Sequence, residues 1–403
     1  MKKWQKILMW TGVGLLALVL ILVIAVWAIW GNEISTLSSI KMVRERNDAH
    51  LDGAVYTMEV KGDYYFDEFL EEGGAKSDSE LIGFVTKKIT KGIIPMNIEE
   101  SEIGCSSFTA VTKDGDKLFA RNYDLRKTNT CIVFTEADGE RHATISTVDL
   151  QFLGIDNDKG IDGLMDKITC LAAPYAPLDG INDAGVSCGI YMTYQGGEQT
   201  VATNQSTSKP DITSTTMLRL ILDYADSVEE AVELVKKYDL HDSANTSYHY
   251  MVADATGRSA ILEWVPVGTD STDNDGTKRE LVVHYNDNDA YLGEREANAS
   301  YQWVTNFVLT PGYYDGEAES RKKGLDRYEK LSEELEKIDG VVTDENHAME
   351  VLSTVGRRAW NNDDSNTVTV HSVIYNLTDK TVCWITNENW DDESAIFKYS
   401  LAE

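Results

Sequence analysis

Residues 7–30, Ile7-Leu8-Met9-Trp10 through Ala28-Ile29-Trp30, contain no charged side chain. A run of that length exceeds the about 20 apolar residues that a helix needs to span a bilayer. Lys2, Lys3 and Lys6 stand in front of it. The positive-inside rule keeps that end cytoplasmic and puts everything after Trp30 outside. The competing reading is a cleaved signal peptide, whose apolar core is roughly 7–15 residues and ends in a small-x-small exit. Here the run is longer and ends in Trp27-Ala28-Ile29-Trp30-Gly31, with no lipid-acceptor cysteine after it. The expectation is an uncleaved anchor over residues 1–31, making a single-pass protein of the cell membrane.

The rest of the chain reads as an outward-facing domain. The net charge is −30 and the first 31 residues contribute +3, which leaves −33 beyond them. Such a surface repels nucleic acid and anionic headgroups, so no nucleic-acid partner is expected; it keeps an exported domain soluble and is silent on the reaction. The acids are spread along the chain, as in Asp270 to Glu280 and Asn361 to Asp364, and read as solvated loops.

Five cysteines in an exported chain of this length form no disulfide framework, and an odd count leaves at least one thiol free. Cys131, Cys170, Cys188 and Cys383 lie in apolar, strand-like surroundings and read as small core residues. The seven histidines form no HExxH or HxH pair and have no Cys-x-x-Cys companion. Asp273-Asn274-Asp275-Gly276 brushes the calcium-loop pattern but has Ser271 and Val282 where that pattern needs acids. No metal and no cofactor is expected.

Chemistry concentrates at Gly104-Cys105, followed by Ser106-Ser107-Phe108-Thr109-Ala110 and, across Lys113-Asp114-Gly115-Asp116, by Arg121-Asn122-Tyr123-Asp124. A cysteine attacks amides well when a base stands beside it, and its own α-amino group, with a free pKa of about 7.7–8.0, is such a base. Breaking the Gly104-Cys105 bond would create that amine. Residues 107–112 and 117–121 predict two strands joined by an Asp114-Gly115 turn. A two-residue loop there places Asp124 opposite Cys105 and sends Arg121 to the other face, so both serve one site only if the strand bulges or ends near Asn122. The plainer alternative is a structural hairpin with an inert buried cysteine.

The spacing of Arg and Asp 16 and 19 residues after the Cys resembles the choloylglycine hydrolase, or linear amide C-N hydrolase, family of N-terminal nucleophile hydrolases. Penicillin acyltransferases and acid ceramidase are similar. Asp179-Gly180-Ile181-Asn182-Asp183-Ala184-Gly185 resembles the family's Asn-containing turn, Trp303-Val304-Thr305-Asn306 its Thr-Asn segment, and Asp326-Arg327 its late arginine. The resemblance spans most of residues 105–403. It implies Cys105 as nucleophile, Asp124 and Arg121 holding amine and thiolate, Asn182 as oxyanion donor, and Asn306 and Arg327 organising the nucleophile and the wall of the site. Each also has a structural reading: Asn182 a tight turn, Asn306 a cap, Arg327 an exposed helical charge. Unlike the bacterial hydrolases that carry the Cys directly after the initiator Met, this chain has 104 residues before it. It matches instead the branch whose precursors cut themselves just before the Cys.

Organisation follows. Residues 1–31 are the anchor, 32–60 a polar stalk, 61–104 a pro-segment whose Tyr64, Tyr65, Phe66, Phe69, Leu81, Ile82, Phe84 and Val85 need a partner surface, and 105–403 the catalytic domain. Hairpins are predicted at 248–253/259–265 and 367–376/381–386. Helices are predicted over about 214–238, where Ser227-x-x-Glu230 opens the second of two, and near 320–338. Antiparallel sheets carrying amphipathic helices give an α+β class. The resemblance sharpens that to a four-layer αββα sandwich. It implies hydrolysis of linear amides in small N-acyl compounds. The rival readings are an acyltransferase on the same thioester and a non-catalytic surface module.

Overall fold

The structure is a computed structural model and describes residues 2–89, 91–92, 104–195, 201–266, 275–287, 301–314, 322–358 and 367–402. Within these residues two sheets dominate. The first holds β1 (Lys41–Arg44), β2 (Val55–Val60), β5 (Thr130–Thr135), β6 (Thr144–Asp149), β7 (Asp179–Asn182), β8 (Ser187–Met192), β11 (Tyr248–Ala253), β12 (Ser259–Pro266) and β13 (Arg279–Tyr285), neighbours in that order. The second runs β14 (Trp303–Val304), β3 (Gly104–Thr112), β4 (Lys117–Arg126), β16 (Thr367–Asn376), β17 (Thr381–Thr386) and β18 (Ile396–Ser400), with β15 (Val341–Val342) parallel to β3. A small parallel pair, β9 (Asp211–Thr213) and β10 (Asp239–His241), lies apart.

Helices cover the two outer faces. On the first sheet, α5 (Ser214–Tyr224) packs on β7 and β8, and α6 (Val228–Val235) on β11. The Ser227 hydroxyl accepts from the Glu230 N–H at 3.2 Å and starts α6, which buries Val228, Ala231, Val232 and Val235 as one stripe. On the second sheet, α7 (Leu325–Lys337) and α8 (Glu345–Ser353) pack on β3, β4 and β16, burying Leu331, Leu335 and Leu352. One apolar core fills the space between the sheets and under α5 and α6, and a second lies beneath α7 and α8. The result is an αββα sandwich, with β3 and β4 on the inner side of one sheet facing β7 and β8 of the other.

Beyond Trp30, the N-terminal quarter is built into this body. Helix α1 (Lys3–Ser39) is long and apolar enough to cross a bilayer, and its apolar stretch is unburied. Trp30 leaves helical geometry at φ −128°, ψ 23°, and beyond it the helix docks: Glu33 and Thr36 are buried, and the Thr36 hydroxyl accepts from Lys61 N–H at 2.9 Å. A short helix, α4 (Leu164–Cys170), lies against α1. The expected stalk 32–60 is therefore corrected. It supplies the last turns of α1 and strands β1 and β2, and β2 pairs parallel with β5. Val55, Tyr56, Met58 and Val60 are buried, and apolar strand residues of this kind require a sheet neighbour rather than solvent.

Segment 61–89 forms α2 (Phe66–Glu71) and α3 (Asp78–Ile89). Phe66 and Phe69 pack on Tyr175, with ring centroids 5.7 and 5.9 Å away. The Tyr64 hydroxyl donates to Asp223 at 2.6 Å, and Asp223 is paired with buried Arg219 at 2.9 Å. Residues 93–103 at the end of the expected pro-segment lie outside the described residues, as do 270–274 and 361–364 of the acidic loops.

Candidate active site

The hairpin that starts at Cys105 pairs one residue out of the register that a two-residue loop sets. Lys113, Asp114 and Gly115 form the loop, with Thr112 N–H donating to Asp116 O at 2.9 Å and Gly115 at φ +100°. A turn closed by a left-handed glycine makes a three-residue connection, which shifts the pairing by one. Gly104 thus faces Asp124, Cys105 faces Tyr123 and Ser107 faces Arg121. This corrects the expected pairing of Cys105 with Asp124, and it removes the need for a bulge near Asn122. Directly paired residues and those two apart share a face, so Arg121 lies on the side of the Cys105 sulfur.

Arg121 crosses the gap between the sheets. Its Nη2 stands 3.4 Å from Cys105 Sγ and donates to Ile190 O at 2.6 Å, Nη1 donates to Leu178 O, and Nε pairs with Asp179 at 3.3 Å. The guanidinium lies 4.7 Å from the centre of the Tyr191 ring. Gly189 is what lets it through, since a Cβ there would sit 2.3 Å from Nη1. Burial opposes ionisation of Asp179, but His371 and Arg121 outweigh it and hold the carboxyl at about 2. His371 Nε2 is 2.9 Å from Asp179, and the Tyr375 hydroxyl donates to it at 2.5 Å. Burial pushes the Cys105 thiol up to about 11 against the pull of Arg121 and Arg327, so in the continuous chain the sulfur is neutral.

The backbone of Cys105 is gripped from the other side. Its N–H donates to Asn306 Oδ1 at 2.8 Å, and its carbonyl accepts from Arg327 Nη1 at 2.6 Å. Arg327 also reaches Asp124 at 3.2 Å and donates to Asn306 Oδ1 at 2.8 Å. Asn306 Nδ2 donates to Met192 O at 2.8 Å, which fixes which way the amide points. The second oxygen of Asp124 accepts from Thr369 at 2.7 Å. Arg327 reaches the site from the first turn of α7. Gly104 lies in regular strand, and its missing side chain leaves room for Asp124, whose Cβ and Oδ2 would be 3.1 and 3.2 Å from a Cβ at 104.

Five of the six residues singled out in the sequence, Cys105, Arg121, Asp124, Asn306 and Arg327, therefore meet around one peptide unit. Asn182 does not join them. Its amide donates to Leu222 O and Ala225 O at the end of α5, and its oxygen accepts from Val186 N–H at 2.8 Å. It closes the β7–β8 turn under a helix terminus, on the face of the sheet opposite Asp179. A two-residue strand period already separates positions 179 and 182, and that signal points to Asp179 as the residue of this run on the Cys105 side. Tyr191 and His371 had no such signal, since each depends on which strands become neighbours. Cys105, Cys131, Cys170, Cys188 and Cys383 are all free and buried. Among the described residues no group of three or more His, Cys, Asp or Glu side chains is arranged to hold a metal.

A match to known proteins starts at the same residue that the geometry singles out: positions 105–274 fit the model of the linear amide C-N hydrolases, choloylglycine hydrolase family. A bile salt hydrolase/transferase of Clostridium perfringens (strain 13 / Type A) is 26% identical over 175 residues, which are 40% of this chain and 47% of that protein. The chain thus matches about half the length of that relative. Among solved structures, a mutant of the conjugated bile acid hydrolase from Clostridium perfringens is similar at TM-score 0.47 and 17% identity, over 74% of this chain and 92% of that one. Penicillin V acylase from Agrobacterium tumefaciens is similar at TM-score 0.42 and 15% identity, over 70% and 83%. The Caenorhabditis elegans N-acylethanolamine-hydrolyzing acid amidase ortholog is similar at 0.39 and 15%, over 74% and 100%.

Proposed function

We propose that this protein is a membrane-anchored, extracytoplasmic cysteine hydrolase of linear amide C–N bonds in N-acyl compounds, matured by cleavage at Gly104-Cys105. One observation carries the reading. The N–H, the carbonyl and the sulfur of Cys105 are each held by a different buried side chain, Asn306, Arg327 and Arg121, at 2.8, 2.6 and 3.4 Å. A structural cysteine needs none of these.

In maturation, Cys105 Sγ attacks the Gly104 carbonyl, forming a C–S bond as the C–N bond breaks, and the thiol proton passes to the departing nitrogen. Water then hydrolyses the thioester, leaving a Gly104 carboxylate, a free thiol and a free α-amine. The Asn306 oxygen that accepted the peptide N–H now accepts from the amine, with Asp124 alongside. In turnover the amine takes the thiol proton as sulfur attacks the substrate carbonyl and hands it to the leaving nitrogen. Water resolves the acyl thioester by the same relay. Arg121 favours the thiolate electrostatically. The anchor reading rests on α1 and on the lysines at its N-terminal end, with the catalytic body outside.

Transfer of the acyl group to an amine in place of water is a second reading, favoured by the hydrolase/transferase name of the bacterial relative. Purified full-length protein assayed on a panel of N-acyl amides, with and without a competing amine, tests both. Acid release that disappears in Cys105→Ala is expected; release that survives the substitution contradicts the proposal.

A further inference from the structure

Asn306 sits in a segment, 305–310, that is fastened by a buried carboxylate on the opposite sheet. Glu263 Oε1 accepts from Leu309 N–H at 2.7 Å, and Oε2 accepts from Thr310 N–H at 2.9 Å and the Thr310 hydroxyl at 2.7 Å. His284 Nε2 comes within 3.2 Å of Oε2. His249 stands between this carboxylate and Thr305, the residue before Asn306, with Nδ1 3.0 Å from Glu263 Oε1 and Nε2 2.8 Å from the Thr305 carbonyl. Glu263 and His249 are each 1% exposed, so water cannot stand in for either bond.

A carbonyl and an ionised carboxylate only accept, so the geometry offers an acceptor to each ring nitrogen of His249. The Leu309 and Thr310 N–H groups and the Thr310 hydroxyl all donate to Glu263, as suits an ionised carboxylate. Burial works against its ionisation, and the bonds from His249 and His284 outweigh it, holding the carboxyl below the usual range. The groups facing the pair are His284, Thr310 and Tyr314 around Glu263, and Tyr191, whose ring meets the His249 ring edge-on at 5.7 Å. Tyr191 is the ring that Arg121 stacks on.

We infer that His249 and Glu263 form a buried imidazolium–carboxylate pair that positions the nucleophile, holding Asn306 through the Thr305 carbonyl and Arg121 through the Tyr191 ring. Neither residue touches Cys105. They act by fixing the two side chains that hold its nitrogen and its sulfur. Replacing the carboxylate with an amide turns two acceptor oxygens into one acceptor and one donor, which sets an N–H against other N–H groups and loosens the segment. The inference rests on the reading of Cys105 as the nucleophile.

Two measurements on the full-length protein test it. With histidine labelled in the ring nitrogens, and the His249 signals assigned by their loss in His249→Phe, both nitrogens are expected to be protonated at neutral pH. A neutral His249 ring there overturns the inference. Folded Glu263→Gln should lose about tenfold or more in kcat with KM within about twofold, and alkylation of Cys105 by iodoacetamide should slow in parallel. Unchanged kcat and alkylation in that variant overturn it as well. If Glu263→Gln does not fold, the ring measurement on the unaltered chain decides. Ring state and alkylation require no substrate, so an unaltered chain that hydrolyses no amide refutes the functional reading alone.

Discussion

Asn306 Oδ1 accepts the backbone N–H of Cys105 at 2.8 Å, joining residues 201 positions apart at the atom that becomes an amine if the preceding bond is cut. The same oxygen accepts from Arg327, so an acceptor is already held in place for any amine formed there. Asn306→Ala should therefore block maturation and hydrolysis together. N-terminal sequencing of the variant should return no chain beginning at Cys105, while its melt stays cooperative.

Substitutions at Cys105 and Asp124 separate two roles. Cys105→Ala should abolish both self-cleavage and turnover. Cys105→Ser keeps a nucleophile that ionises far less, so cleavage is slow and turnover falls severely. Asp124→Asn keeps the Thr369 contact possible but removes the charge beside Arg327 and the new amine, and should lose hydrolysis with an unchanged melt. An active Cys105→Ala would make the hairpin purely structural.

Asn182 should behave as a fold residue. Asn182→Ala leaves the Leu222 and Ala225 carbonyls and the Val186 N–H without their buried partner, at a cost of roughly 3 kcal/mol. In chemical denaturation its midpoint should fall. The specific activity of the molecules that remain folded should match the unaltered protein.

The hairpins and the α6 cap were legible in local pattern, and the cluster of Cys105, Arg121, Asp124, Asn306 and Arg327 through the family resemblance that their order along the chain carries. The pairing partner of Cys105 was not, since one residue of register depends on the left-handed φ of Gly115, and both loop lengths fit the same letters. Asn182 was misplaced for a related reason: the motif around it is real, but the face that looks inward carries Asp179. The supposed stalk hid two strands, because a polar composition does not reveal that Val55, Met58 and Val60 have β5 to bury against.

Asp179 ties acid stability to the site. Its folded pKa, about 2, lies below the ordinary aspartate value of 3.8. The stability it contributes is thus complete above the unfolded value and is lost as pH falls through about 2. The gap amounts to about 2 kcal/mol. The difference in unfolding free energy between the unaltered protein and Asp179→Asn should shrink by about that much between mildly acidic and strongly acidic buffer. A difference independent of pH would contradict the Arg121–Asp179–His371 arrangement.

The N-terminal piece should remain bound after the cut. Strand β2 lies in the first sheet beside β5, and Tyr64 reaches the buried Asp223–Arg219 pair. High salt should leave the two pieces together in size-exclusion chromatography, and denaturant should be needed to part them. Tyr64→Phe should lower the denaturant midpoint by an amount equivalent to about 1–3 kcal/mol.

The most direct test of the whole account is the N-terminal sequence of the catalytic piece in a purified, amide-hydrolysing preparation. The account predicts Cys-Ser-Ser-Phe, from scission at Gly104-Cys105, together with a separate piece ending at Gly104. An active preparation in which that bond is intact would contradict it.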